Sequence, residues 1–187
     1  MPNTPSGYRR RNSLRHKTFD YTSAGAYFVT IRAAYGRCSF GQVVDNALVL
    51  NPLGQIADET WASIAQRRPD VQIDEYVVMP NHVHALLWLV PQPHAAQSAG
   101  PGKPRRFGDA IAGSLSALLG LYKSSVAQQA QRRSLIVDAA LWQRNFHDHI
   151  VRDDRELQRI RDCVRTNPAR WLDGGCTRMP HPTGSIA

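Results

Sequence analysis

The sequence of 187 residues lacks the features of a disulfide-bonded, exported or membrane-spanning protein. Its three cysteines, Cys38, Cys163 and Cys176, are widely spaced and form no C-x-x-C pair. Such isolated thiols are typical of a reduced, cytoplasmic protein. No apolar run is long enough to span a bilayer, the polar N-terminal residues do not resemble a signal peptide, and there are no internal repeats. We therefore expect a cytoplasmic protein with no membrane partner.

Lysine is also scarce. Of the 23 basic residues three are lysine and 20 are arginine, and the formal net charge is +8. Because a guanidinium offers a planar fork of donors that suits phosphate, this composition favours a nucleic-acid partner. The alternative is a basic protein whose charges are scattered over a solvated surface. Hydrophobic residues make up 42% and charged residues 20%, which is typical of a globular chain and, at this length, of one domain.

The predicted organisation is a basic arm over residues 1–18, one domain over residues 19–172 and a disordered tail over residues 173–187. The arm is a candidate for binding a phosphate backbone, with a solvated tail as the alternative. Residues 91–106, rich in Pro, Gly, Ala and Gln, predict a flexible loop inside the domain. The candidate DNA-binding residues of these two segments are Arg9, Arg10, Arg11, Arg15, Lys17, Arg105 and Arg106.

Turn residues divide the domain into short segments with recognisable periodicity. The predicted elements are strands over 25–32, 40–44, 47–50 and 71–79 and helices over 52–67, 107–131 and 153–167. The strands 40–44 and 47–50 predict a short hairpin that turns at Asp45-Asn46. The strand 71–79 should pair antiparallel with the strand that follows Pro80-Asn81. Asp153 and Glu156 form a capping box at the start of the last helix. Residues 142–150 predict a mixed aromatic and polar connection that packs under the sheet and presents Arg144 or His149 near a site, with His147 and His149 in a polar loop.

The most informative stretch is an apolar strand that carries two histidines, His82 and His84. Side chains alternate along a strand, so both imidazoles point to one face, and Pro80-Asn81 before them predicts a turn that aims the pair. Two imidazoles on one face of a strand make half of a metal site. Two histidines that merely face solvent are the alternative, because an isolated H-x-H is weak evidence.

Residues 78–84, Val-Met-Pro-Asn-His-Val-His, resemble the HUH motif (His, hydrophobic, His) of single-tyrosine transposases. More closely, the chain resembles the REP-associated tyrosine transposases and their IS200-like relatives. The resemblance covers roughly residues 19 to 171 and includes the segments 27–31, 40–41, 122–124, 142–146 and 167–171.

This resemblance implies a single-domain α+β fold with an antiparallel, ferredoxin-like sheet that displays the histidines and helices packed mainly on one face. It implies cleavage and transfer of single-stranded DNA beside a hairpin with Mg or Mn, in a cytoplasmic, nucleoid-associated protein without a small-molecule substrate. His82, His84 and Asn167 would bind the metal, and Lys123 and Arg144 would join the DNA-binding residues. Asn167 also reads as a helix-ending residue before Pro168. The family includes monomers and dimers, so the oligomeric state stays open.

One residue departs from the family pattern. The nucleophilic tyrosine would stand one helical turn before Asn167, where this chain has Cys163, and no tyrosine follows Tyr122. A thiol is shorter than a tyrosine and needs its own activation. Cys163 is therefore an inert residue in a relative that binds hairpins without cleaving them, an unusual nucleophile, or a third ligand with His82 and His84 in a structural zinc site.

Besides DNA cleavage and hairpin binding without cleavage, a third possible function is that of a metal-stabilised protein without any DNA role. The basic arm, the arginines of the flexible loop and four arginines of the last helix speak against it, although the helix arginines also fit a solvated face. Those four are Arg155, Arg159, Arg161 and Arg165.

Overall fold

A computed structural model describes residues 24–90, 113–136 and 140–171 of the chain. The predicted arm, flexible loop and tail lie outside these residues. The described elements are β1 Gly25–Arg32, β2 Gly41–Val44, β3 Ala47–Leu50, α1 Pro52–Arg67, β4 Val71–Met79, β5 His82–Leu89, α2 Leu115–Arg132, β6 His147–Ile150 and α3 Asp154–Thr166. In these parts of the chain, no helix combines the length and the apolar character needed to cross a membrane.

Four strands form one antiparallel sheet in the order β4-β5-β1-β6. The pairing of β4 with the histidine strand β5 confirms the prediction from the sequence. A separate hairpin, β2-β3, turns at Asp45 and Asn46, whose φ angles of 50° and 62° are left-handed. Such angles at both central residues are typical of a tight hairpin turn, and Asn and Asp tolerate them well. The fold is the predicted α+β class.

The segment 142–150 differs from its prediction. Trp142 forms an isolated bridge with Ala33, and residues 147–150 form β6, which pairs with β1 at the edge of the sheet. The prediction of a connection was wrong for residues 147–150, whereas Trp142 and Phe146 do pack against the larger core beneath the sheet. A four-residue strand with the sequence His-Asp-His-Ile has no apolar alternation to reveal it, and its pairing depends on the edge that β1 offers.

Helices cover the two faces of the sheet unequally. The helices α1 and α2 bury the larger core against β1, β4 and β5, where Trp61 stacks on Tyr122 with ring centroids 4.4 Å apart. The helix α3 lies on the opposite face and closes a smaller core of Ala26, Leu86 and Leu157. The helices are thus packed mainly on one face, as predicted, and α3 shares the other face with the histidines.

The start of α2 also differs from its prediction. Ser114 accepts a hydrogen bond from the Ala117 N–H at 3.3 Å and caps the helix, and Gly113 before it has a φ of 79°. A helix cannot pass through a left-handed residue, so the start predicted at residue 107 was wrong. The apolar periodicity was read correctly, because Leu115, Leu118, Leu119 and Tyr122 are all buried.

The start of α3 was predicted correctly. The Glu156 N–H donates to Asp153 Oδ1 at 2.8 Å, and the Glu156 carboxylate accepts from the Arg152 N–H at 3.0 Å. The first bond is the predicted cap by Asp153, and the Glu156 carboxylate reaches back to Arg152, one residue before the N-cap, instead of to the Asp153 N–H of a regular capping box. The helix ends at Thr166, and Pro168–Arg170 continue as a 3-10 turn that leads to Trp171.

Candidate metal centre

Strand register brings His82 and His84 together with two residues of β1. His84 lies opposite Thr30 and His82 opposite Arg32, so all four side chains point to the face of the sheet that α3 partly covers. The imidazole centroids of His82 and His84 are 4.4 Å apart. The predicted placement of both histidines on one face is confirmed.

The Nδ1 atoms of both histidines are held by neighbours. Nδ1 of His82 lies 2.6 Å from Oδ1 of Asn81. In the tautomer with its proton on Nδ1, the ring donates to this amide oxygen and keeps a lone pair on Nε2. Nδ1 of His84 is 3.0 Å from Oγ1 of Thr30, a contact that fixes the ring between β5 and β1. Partners of this kind orient metal-binding histidines and set their tautomer.

The two Nε2 atoms are in the opposite situation. Both are buried, and neither has a hydrogen-bond partner among the described residues. A buried polar atom without a hydrogen-bond partner lowers the stability of the fold. Two such atoms side by side therefore indicate a ligand that binds both. A cation bound by both lone pairs would satisfy them, and the donor set therefore fits a divalent metal.

Charge and burial keep both rings in the neutral, metal-binding form. Burial, helped by the Arg32 charge, lowers the pKa of His82 to about 4. Burial also lowers the pKa of His84 well below 6.5, with smaller contributions from His82 and Arg32, while a backbone hydrogen bond with Val29 acts in the opposite direction. Both imidazoles are thus uncharged at neutral pH, as metal binding requires.

Aromatic rings flank the pair. Phe28 stacks on His84 with centroids 5.0 Å apart, and the ring of Trp171 lies 6.2 Å from that of His82. Trp171 thus brings the end of the chain's last helical segment to the histidines. Asn167, the predicted third ligand, is four residues before Trp171 and partly buried at the end of α3. Its ligand role stays a prediction.

Cys163 is partly buried on α3, and its thiol has no described hydrogen bond. Within the described residues, His, Cys, Asp and Glu side chains form no group of three or more that could bind a metal. The structure therefore does not assemble the zinc site of His82, His84 and Cys163 that the sequence left open.

Two residues that the sequence analysis considered for the site, Lys123 and His149, form contacts within the chain itself. The Lys123 ammonium donates to the backbone carbonyls of Gln143 at 2.5 Å and Arg144 at 3.4 Å, and burial lowers its pKa. Lys123 thus fastens segment 142–146 to α2. His149 Nε2 lies 2.8 Å from Oε1 of Glu156 and joins β6 to α3. The Arg144 side chain is exposed.

The arginines of α3 divide into two groups. Arg161 and Arg165 bind the carboxylates of Asp74 and Glu75 on β4, so they anchor the helix. Arg155 is exposed, and Arg159 is exposed with its guanidinium 3.9 Å from Glu156. The predicted basic face of this helix is thus partly an internal ion-pair surface. The other predicted DNA-binding residues, in 1–18 and 91–106, lie outside the described residues.

Arg32 is a site residue that sequence reasoning did not select. It is partly buried opposite His82, and no ion pair of its side chain exists among the described residues. Its position two residues after Thr30 on one strand face was a usable signal. The pairing of β1 with β5, which places Arg32 beside the histidines, is a tertiary feature.

Comparisons with known proteins identify one curated relative. An uncharacterized protein of Haemophilus influenzae is 32% identical over 171 residues, which cover 89% of this chain and 92% of that protein. No family model matches the chain.

Two solved structures have a similar fold. A REP-associated tyrosine transposase bound to a REP hairpin has 20% identity and a TM-score of 0.49, covering 88% of this chain and 73% of that one. A candidate transposase from Deinococcus radiodurans has 13% identity and a TM-score of 0.41, covering 81% and 96%.

Proposed function

This chain belongs to one family with the Haemophilus influenzae protein, and we propose that it is a metal-dependent DNA-processing protein of the transposase class. It binds single-stranded DNA beside a hairpin at the face of the sheet that carries His82 and His84. The proposal includes association with the nucleoid, because DNA is the partner. It rests on the motifs of the sequence and on the geometry of the histidine pair.

The observation that carries the proposal is the pair of buried Nε2 atoms without a partner. Their Nδ1 atoms already contact Asn81 and Thr30, so the two rings are oriented before any ligand binds. Such preorganisation is characteristic of metal sites and has no purpose in a surface strand. The alternative of two solvent-facing histidines is disfavoured, since His84 is fully buried.

We propose that Asn167 adds an amide oxygen as the third ligand, because a hard oxygen donor suits Mg or Mn better than a third imidazole. A bound divalent cation supplies Lewis-acid polarisation of the scissile phosphate and stabilises charge on the leaving 3′-oxygen. Arg32, which has no acidic partner among the described residues, supplies a guanidinium for the same phosphate.

Cleavage then requires a nucleophile from α3. With Cys163 in that role, the thiolate would attack phosphorus, a P–S bond would form, the P–O3′ bond would break, and the 3′-oxygen would take a proton. Cys163 has no described partner that would activate it, which favours a second candidate function: hairpin binding without cleavage. The two candidates share the metal centre and differ only in the chemistry at residue 163.

A covalent-adduct assay separates them. The protein is incubated with Mn and labelled hairpin DNA that carries the flanks of its own gene, beside the variants Cys163→Tyr and Cys163→Ala. An adduct with the native protein that the alanine variant loses establishes cysteine as the nucleophile. An adduct with the tyrosine variant alone establishes an intact site in a protein that binds without cutting. If no variant binds the hairpin at all, the proposed function is wrong.

A further inference from the structure

The turn directly after β1, Ala34–Gly36, carries an exposed aromatic residue, Tyr35. The side chain of Tyr35 is 80% exposed, which makes it the most exposed large hydrophobic side chain among the described residues. A tyrosine ring in water has an unused apolar surface, and exposed aromatic rings near a functional site mark recognition surfaces. The other described tyrosines are buried or partly buried, so Tyr35 differs in kind from them.

The backbone at Tyr35 is held in an unfavourable conformation. Its φ of 58° and ψ of 16° lie in the left-handed region, which a bulky aromatic residue rarely adopts. Conformations of this kind persist where neighbouring structure enforces them, and they concentrate at binding sites. The two residues before Tyr35 are anchored, because the N–H groups of Ala33 and Ala34 donate to the carbonyls of Asn81 and Leu141, each at 2.9 Å.

Those contacts also locate Tyr35 relative to the metal centre. Asn81 bonds the ring of His82, and the same residue's carbonyl anchors Ala33. Tyr35 follows Ala33 by two residues, so their Cα atoms are at most about 7 Å apart. The turn that carries Tyr35 is thus tied through Ala33 and Asn81 to the strand of the histidine pair.

A cation lies over the same ring. The Arg37 guanidinium carbon is 5.2 Å from the centroid of the Tyr35 ring. This cation–π contact restrains the ring and places a positive charge where a nucleotide phosphate would lie. A stacking ring with an adjacent arginine is the combination by which proteins bind unpaired bases without reading their sequence.

We propose that Tyr35 is a stacking platform for an unpaired base of the DNA strand that enters the histidine site. The class of ligand is a single-stranded nucleotide next to the hairpin, and duplex DNA is excluded because its bases are already stacked. This inference rests on the proposed function and adds to it the residue that distinguishes unpaired from paired flanks.

The test uses hairpin DNA with an unpaired flank in which one adenine is replaced by 2-aminopurine, whose fluorescence is quenched on stacking. The full-length protein should quench it, and Tyr35→Phe should do so equally. In Tyr35→Gly, which removes the ring and relaxes the left-handed backbone, we expect no quenching and affinity weaker by ~5- to ~100-fold, with an unchanged or higher melting temperature. Leu121→Ala, at an exposed site on α2, is the matched control and should behave as the native protein.

The outcomes distinguish this inference from the proposed function. Equal quenching and affinity in the native protein and Tyr35→Gly overturn the platform alone. The platform is also overturned if Tyr35→Gly loses as much affinity for a hairpin without an unpaired flank as for a hairpin with one. A hairpin without a flank offers no unpaired base on which Tyr35 could stack. Absence of DNA binding by the native protein overturns the proposed function and this inference together.

Discussion

The Asp74 carboxylate accepts two hydrogen bonds from the Arg161 guanidinium, at 2.8 Å from Nε and 2.6 Å from Nη2. This bidentate pair joins β4 to α3 and is supported by the Trp88 indole N–H, which donates to the same carboxylate at 3.1 Å. Arg165 binds Glu75 one helical turn further on. The strand irregularity between Ile73 and Glu75 interrupts the alternation there and helps present both acidic side chains to the helix. The helix that carries Cys163 and Asn167 is thus fixed over the histidine face.

Replacing this pair should lower stability in a pH-dependent way. The hydrogen bonds from Arg161 are the main cause that lowers the pKa of Asp74 below its ordinary value of 3.8, against the opposing effect of burial. The stabilisation is therefore fully present above pH 3.8 and is lost as the pH falls through the lower folded-state pKa. Asp74→Asn should melt a few degrees below the native protein at pH 7, and the difference should shrink at pH 3. Glu59→Gln, on the exposed side of α1, is the control. If the native protein and Asp74→Asn differ as much in melting temperature at pH 3 as at pH 7, the ion pair is not the source of the stabilisation.

Thr30 should matter for metal binding although it touches no metal. Thr30→Val removes the Oγ1 that holds Nδ1 of His84 while preserving shape, and loss of such a partner typically weakens metal affinity by ~10- to ~100-fold. Titration calorimetry with Mn measures this, and His82→Ala should abolish binding. Thr60→Val is a matched control, because Thr60 is equally buried but lies on α1. Equal affinity in the native protein and Thr30→Val would mean that the metal binds elsewhere.

Arg32→Gln should separate DNA binding from metal binding. We expect weaker binding to hairpin DNA. The slope of log affinity against log salt concentration should fall by about 1, the contribution of one phosphate contact. Mn affinity should rise, because the positive charge opposite His82 repels a cation. Arg67→Gln, exposed at the end of α1, should change neither property. If Arg32→Gln instead loses Mn affinity, Arg32 helps to maintain the structure of the metal site.

The smaller core should hold α3 in place. Leu86 is fully buried and packs with Leu157 and Ala26 between the sheet and that helix. Leu86→Ala should lower the free energy of unfolding by about 2–5 kcal/mol through lost burial and the cavity left behind. Chemical denaturation measures the change, with Leu121→Ala on the exposed face of α2 expected to stay within about 0.5 kcal/mol. A small effect of Leu86→Ala would show that the ion pairs alone dock the helix.

Much of this molecule was predictable from local sequence. Three features depend on a few neighbouring residues, and their predictions agree with the structure: the alternation along β1 and β5, the turn at Asp45-Asn46 and the helix cap at Asp153. The errors have a common cause. The start of α2 at Leu115 depends on the left-handed Gly113 before it. The strand β6 depends on the free edge of β1. Neither cause produces a periodic pattern in the sequence.

The sequence by itself determined that two histidines share one strand face and that a cysteine stands where the resembled family has its tyrosine, because both facts follow from spacing along one element. Only the tertiary structure decided what surrounds them. The register of β1 against β5 places Thr30 and Arg32 beside the imidazoles, and burial keeps those rings neutral. Pairing and burial are relations between distant segments, so no local pattern encodes them.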